Sequence, residues 1–258
     1  MKLVVIELIL NQAVATALLR RPPVNAFDLQ MLDLLDAAIE HSEKAGVRCL
    51  VVRSENPGMF SAGADIAMLQ AATERVGGVD EMVAFARRFQ RVLDRLERAP
   101  FATIAVIDGL ALGGGLELAL ACDFRLAGPD ARMGLTETTL GLVPGAGGTQ
   151  RLAEVLGQAR ALQLVLTGRM VDAAEAHRIG LADLCPDGAQ AAAGNLAREL
   201  AARPARALAL AKECVLQAPS AEGYEFELTA SRELYGDPET IELLTRFLNR
   251  RKQRKDPA

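Results

Sequence analysis

The sequence predicts an α/β core over residues 1–187, followed by an all-helical segment over residues 188–258. Three observations carry this. Short runs of strand character alternate with helix-period segments as far as about residue 187. Beyond Asp187 only helical patterns remain, punctuated by Pro204, Pro219 and Pro238. Half of the 258 residues are apolar and 24% are charged, the balance of a folded chain with a sizeable core.

The elements follow in order. Residues 3–10 and 13–19 read as two strands joined at Asn11-Gln12, so the start is expected to be part of the fold rather than a cleaved leader. Arg20-Arg21-Pro22-Pro23 ends the second strand, because proline cannot continue a ladder. Leucines and Met31 recur at helical spacing over residues 25–45, and Gly46 closes that helix. Residues 47–53 (VRCLVVR) form a buried-type strand, and the loop SENPGMFSAGAD follows. Asp65 is placed to cap a helix over residues 66–75, and Asp80 one running to about Ala99. After the central stretch come a short strand near residues 132–135, a loop with Glu137, and helices ending at Leu156 and Leu166. Asp172-Ala-Ala-Glu175 reads as a capping box, Gly180 as that helix's end, and residues 181–185 as the last strand. The tail reads as helices over 188–202, 205–217, 220–234 and 238–252.

Composition excludes several classes. No apolar run approaches the ~18 to 20 residues of a membrane span. A net charge of −4 gives no electrostatic case for nucleic acid. Cys49, Cys122, Cys185 and Cys214 form no C-x-x-C pair, which points to reduced thiols and a cytoplasmic protein. The two histidines, His41 and His177, stand apart from other candidate catalytic groups. Carboxylates and backbone dipoles are therefore the expected source of chemistry.

The centre of the chain is residues 103–128, TIAVIDGLALGGGLELALACDFRLAG. It reads as strand, glycine turn, helix and second strand. Such a turn exposes N–H groups that have no partner inside the helix, where the helix dipole favours negative charge. Glycines there let a ligand oxygen approach the backbone. Glu117, about a turn beyond Gly114, sits among Leu116, Leu118, Ala119, Leu120 and Ala121. A carboxylate in such company is costly to ionise without water or a partner, for which Arg125 and Arg151 are candidates. Phe60-Ser61-Ala62-Gly63-Ala64-Asp65-Ile66 is a second loop running into a helix, and its Ala64 N–H is another candidate donor. Two donors from separate loops can converge on one oxygen as an oxyanion hole. Glu137 alone would read as a solvated loop acid.

Common nucleotide and hydrolase motifs fail. Residues 145–150 (GAGGTQ) put Gln at the third glycine position of a dinucleotide fingerprint, and no G-K-[ST] occurs. Ser61 is not in a G-x-S-x-G elbow.

RRPPVNA (20–26), FSAGADI (60–66), DGLALGGGLELALACDFRLAG (108–128) and GLVPGAGGTQRL (141–152) together resemble the enoyl-CoA hydratase/isomerase (crotonase) superfamily, hydratase branch. The likeness spans nearly the whole chain. It implies a spiral of ββα turns with a C-terminal helical region that builds homotrimers, often paired into hexamers. It implies an acyl-CoA thioester as substrate, with coenzyme A part of it, no cofactor and no metal, and a place in fatty acid metabolism. Carried over residue by residue, the oxyanion donors are Ala64 and Gly114 and the two acids are Glu117 and Glu137. Substrate contacts fall at Val24, Ala62, Gly63, Asp65 and Ile66. The implied reaction is hydration of a trans-2-enoyl-CoA. A Δ3,Δ2-enoyl-CoA isomerase and a methylglutaconyl-CoA hydratase stay open, the latter suggested by Met133-Gly134-Leu135. The sequence departs from the pattern at Thr136, where many hydratases have proline. It departs again at Gly58 and Ala67, where lysines often stand, which leaves Arg20, Arg21 and Lys252 as candidates for the CoA phosphates.

Overall fold

The computed structural model describes residues 5–218 and 220–253, with side chains to 247. Two strands of each ββα turn go to different sheets, and that division builds the molecule. A six-stranded sheet has the order β1 (Ile6–Asn11), β2 (Val14–Leu19), β3 (Cys49–Ser54), β5 (Ala102–Ile107), β7 (Phe124–Ala127), β10 (Asp183–Leu184). Only its β1–β2 pair is antiparallel. A four-stranded sheet has the order β4 (Met59–Ser61), β6 (Leu110–Leu112), β8 (Arg132–Gly134), β9 (Val171–Asp172). The chain therefore climbs β3–β4, β5–β6 and β7–β8, crossing from large sheet to small sheet each time. A helical segment follows each crossing: α2 (Ile66–Thr73) with α3 (Gly78–Glu97), then α4 (Gly114–Leu120), then α5 (Gly148–Leu156).

Strand periodicity explains the two cores. In β3 and β5, Leu50, Val52, Ala105 and Ile107 face the main core with α1 (Leu29–Lys44), α3 and α4. Their neighbours Cys49, Val51, Ile104 and Val106 face outward, where Ala189, Ala193 and Ala197 of α8 (Ala189–Ala201) cover them. Burial pushes the Cys49 and Cys122 thiols up to about 12, so neither offers a thiolate.

The remaining helices are α6 (Gln158–Thr167), α7 (Ala173–Ile179), α9 (Ala205–Leu216), α10 (Ala221–Tyr235) and α11 (Pro238–Gln253). Asp172 caps α7 through the Glu175 N–H, while the Glu175 carboxylate turns to Arg169. Lys212 of α9 reaches back to Asp123 (3.0 Å) and the Phe101 carbonyl (3.1 Å). Asp123 also accepts from Thr103 N (2.7 Å) and Thr103 Oγ1 (3.0 Å), so it joins α9 to the start of β5. Asp123→Ala removes an acceptor from three donors at once, of which Lys212 keeps the Phe101 carbonyl. The expected loss is ~2 to 4 kcal/mol, read as a lower urea midpoint at unchanged slope. Leu228, Tyr235, Ile241 and Leu244 of α10 and α11 are exposed. Among the described residues no helix is long and apolar enough to cross a membrane.

Two boundaries differ from expectation for physical reasons. The helix expected from Asn25 begins at Leu29, because Asn25 is buried at φ 49°, a left-handed conformation that asparagine tolerates. Asp28 supplies the cap, accepting from the Met31 N–H. Asp80 lies in the first turn of α3 rather than capping it, since Gly77 occupies the cap.

Candidate active site

Two loops meet where β4 and β6 end. These strands are parallel neighbours, so the chain leaves both in the same direction. The loop after β4 is held on one side by residues 24–27: Ala62 N donates to Val24 O (2.9 Å), Phe27 N to Gly63 O (2.7 Å), and Asp65 N to Phe27 O (2.9 Å). Bonds at Gly63 and Asp65 turn the Ala64 N–H away from this partner. Gly114 opens α4, so its N–H has no acceptor inside the helix. Among the described residues neither N–H donates to any protein atom. The loops touch closely: a Cβ on Gly63 would stand 2.6 Å from Gly114 N and 2.8 Å from Leu112 O. Only glycine fits there, and its φ of 87° adds to that requirement.

Asn25 locks the first loop from below. Its Nδ2 donates to Phe60 O (2.9 Å) and Ser54 Oγ (2.7 Å), and its Oδ1 accepts from Arg21 N and Asn56 Nδ2. Its carbonyl accepts from the buried Ser61 Oγ (2.8 Å), which accepts in turn from Gly63 N (3.1 Å). Sequence reasoning missed this role; the signal was an asparagine one residue beyond a proline pair, within RRPPVNA.

Glu117 is 3% exposed. Its Oε1 accepts from Ala146 N and Gly148 N, each at 2.8 Å. Neither candidate arginine is its partner: Arg125 donates to the Leu181 and Cys122 carbonyls, and Arg151 to Ala146 O, Asp94 and Glu97. Burial pushes Glu117 up to about 7; the Gly148 and Ala146 N–H groups oppose this, and the nearby Glu137 charge adds to it. Glu137 starts a 3-10 turn over Glu137–Leu140. Its carboxylate lies against the glycine turn, where a Cβ on Gly113 would stand 2.9 Å from Oε1. Its Oε2 is buried without a partner, and burial raises it as well. Burial thus raises both acids, and the Glu137 charge adds to the rise of Glu117.

The structure brings Ala64, Gly114, Glu117 and Glu137 together, with Val24, Ala62 and Gly63 in the supporting ladder. Asp65 serves structure: it caps α2 through Ala67 N and Met68 N and pairs with Arg21 (3.2 Å). Ile66 is 52% exposed. Arg20 is engaged by Glu7 and Glu55, and Arg21 by Asp28 and Asp65. The Lys252 side chain lies outside those described. A concavity of about 480 Å³ between α3 and α5 is lined by neither acid, though Ala146, Gly147 and Arg151 border it. Glu137 instead lies against the glycine turn after β6, and Glu117 against the Ala146–Gly148 turn.

A family model described as enoyl-CoA hydratase/isomerase matches residues 10–255. The chain is 44% identical over 213 residues to the mouse enoyl-CoA hydratase domain-containing protein 2, mitochondrial, covering 82% of this chain and 68% of that protein. It is 44% identical over 160 residues to the mouse methylglutaconyl-CoA hydratase, mitochondrial, covering 61% of this chain and 49% of that one. The crystal structure of an enoyl-CoA hydratase from Geobacillus kaustophilus superposes with a TM-score of 0.90 at 31% identity, covering 97% of this chain and 96% of that one.

Proposed function

The chain belongs to the enoyl-CoA hydratase/isomerase family, and from that premise we propose that it adds water reversibly to a trans-2-enoyl-CoA, giving a 3-hydroxyacyl-CoA. The observation that carries this reading is Glu117, buried and held by two backbone donors beside the free N–H groups of Ala64 and Gly114. The thioester carbonyl sits between those two N–H groups. Each is worth ~2.7 to 4 kcal/mol as charge grows on the oxygen. Ionised Glu117 takes a proton from water as its oxygen bonds to the β-carbon. Protonated Glu137 delivers a proton to the α-carbon, and the two acids exchange states for the reverse reaction. The cradle of N–H groups opposes the rise that burial imposes on Glu117, and burial raises Glu137 as well. No cofactor enters this scheme. The exposed apolar residues of α10 and α11 support assembly as a homotrimer or a dimer of trimers, with residues 188–258 as its oligomerisation region.

The test is loss of the conjugated thioester absorbance with crotonyl-CoA and longer trans-2-enoyl-CoAs. Rapid loss is expected, and Glu137→Gln should slow it by ~10² to 10⁴-fold. Inertness toward every 2-enoyl-CoA, with conversion of a 3-enoyl-CoA, would replace hydration by double-bond isomerisation.

A further inference from the structure

Arg151 of α5 is buried, with its side chain 9% exposed, yet the scheme above gives it no part. Its Nη1 donates to Ala146 O (3.1 Å). Its Nη2 meets Glu97 (2.9 Å) and Asp94 (3.3 Å) on α3. A Cβ on Gly147 would stand 2.4 Å from Nη1, so the guanidinium lies directly against this turn. The same turn supplies the Ala146 and Gly148 N–H groups that hold Glu117. Contacts thus run unbroken from the α3 carboxylates through Arg151 to the Ala146 peptide and on to Glu117. Nε of Arg151 is buried without an acceptor.

We propose that Arg151 is a positioning residue: it clamps the Ala146–Gly148 turn from behind, and so sets where the Glu117 carboxylate sits. The proposal rests on the reading of Glu117 as the base. The charged neighbours of Glu117 are few. Of the elements packed on α4, the strands β4, β5 and β6 bring no charged side chain. β7 brings Arg125, which is turned to carbonyl groups. α5 brings Arg151 and the exposed Glu154. The 3-10 turn brings Glu137, whose charge disfavours ionisation, while that of Arg151 favours it.

The experiment compares Arg151→Met and Arg151→Lys in the whole chain. It reads kcat and KM for enoyl-CoA hydration, and titrates the Glu117 carboxyl by ¹³C NMR, with Glu117→Gln giving the assignment. Arg151→Met should lower kcat by ~10 to 100-fold, leave KM within about twofold, and move the carboxyl titration up. Arg151→Lys should keep the titration near its original place and still lower kcat by about tenfold. A compact ammonium cannot span the Ala146 carbonyl and two carboxylates at once. A folded Met variant with unchanged kcat and titration overturns the proposal. So does a loss of activity that only follows the folded fraction. If the Met variant does not fold, kcat per folded Lys variant decides: a tenfold loss supports the clamp and an unchanged value ends it. A protein that hydrates nothing, but whose Glu117 titration still moves in the Met variant, would sink the reading of function and leave the clamp. Hydration with an unmoved titration would do the reverse.

Discussion

Glu117→Gln is expected to remove hydration while leaving the fold as firm as before, or firmer. Glutamine keeps the shape and can still accept from the Ala146 and Gly148 N–H groups through its Oε1. It cannot take a proton from water. The expected loss in kcat is ~10³-fold or more, with KM little changed, because substrate binding does not use the lost charge. In the unsubstituted protein kcat/KM should fall as pH drops below about 7, where Glu117 becomes protonated. The stability effect has the opposite sense. The folded-state value stands near 7 against an ordinary 4.5, so between those two pH values the folded chain holds a proton that the unfolded chain has released. Stability contributed by that proton is complete below 4.5 and is lost as pH rises through about 7. Glutamine has no such proton. Denaturant curves at pH 5 and pH 8 should therefore converge in the variant and diverge, by up to about 3 kcal/mol, in the original. Full activity in the glutamine variant would remove Glu117 from the mechanism.

Gly63→Ala is the second large effect. A methyl group there would meet Gly114 N at 2.6 Å and Leu112 O at 2.8 Å, both backbone atoms that cannot swing aside. The positive φ of 87° adds strain. The two loops must separate, and the proposed donors at Ala64 and Gly114 move apart with them. Losing one donor costs ~10² to 10³ in kcat, and loosening both should bring turnover close to background. Each acid keeps its own setting, so the Glu117 titration should persist in the variant. That separates a broken oxyanion site from a collapsed one. Wild-type turnover in Gly63→Ala would show that the loop gap does not matter to the reaction.

The large sheet is legible in sequence because strands such as Cys49–Ser54 and Ala102–Ile107 are long enough to show strand character. The small sheet is legible only at β8, the short strand expected near residues 132–135. β4, β6 and β9 have only two or three residues each, too few for any period to emerge. The burial of Glu117 follows from its apolar neighbours, but its partners do not. Charge bookkeeping points to an arginine, whereas the structure uses main-chain N–H groups, which every residue but proline carries and no sequence pattern advertises. Asn25 misleads in a similar way. Helical spacing from Met31 onward invites an early helix start, and only tertiary contacts with Phe60 and Ser54 reveal why the residue stays outside.

β4 and β6 lie side by side in one ladder, and the proposed donors follow within three residues of their ends. Neighbouring strands stand ~4.8 Å apart in any sheet, a distance fixed by peptide geometry rather than by side chains. The spacing of the donors is therefore a gauge written in the main chain. Side chains elsewhere around the two loops can change without recalibrating that gauge. The part of the molecule that sets the distance between the proposed donors can thus stand still while its surroundings diversify.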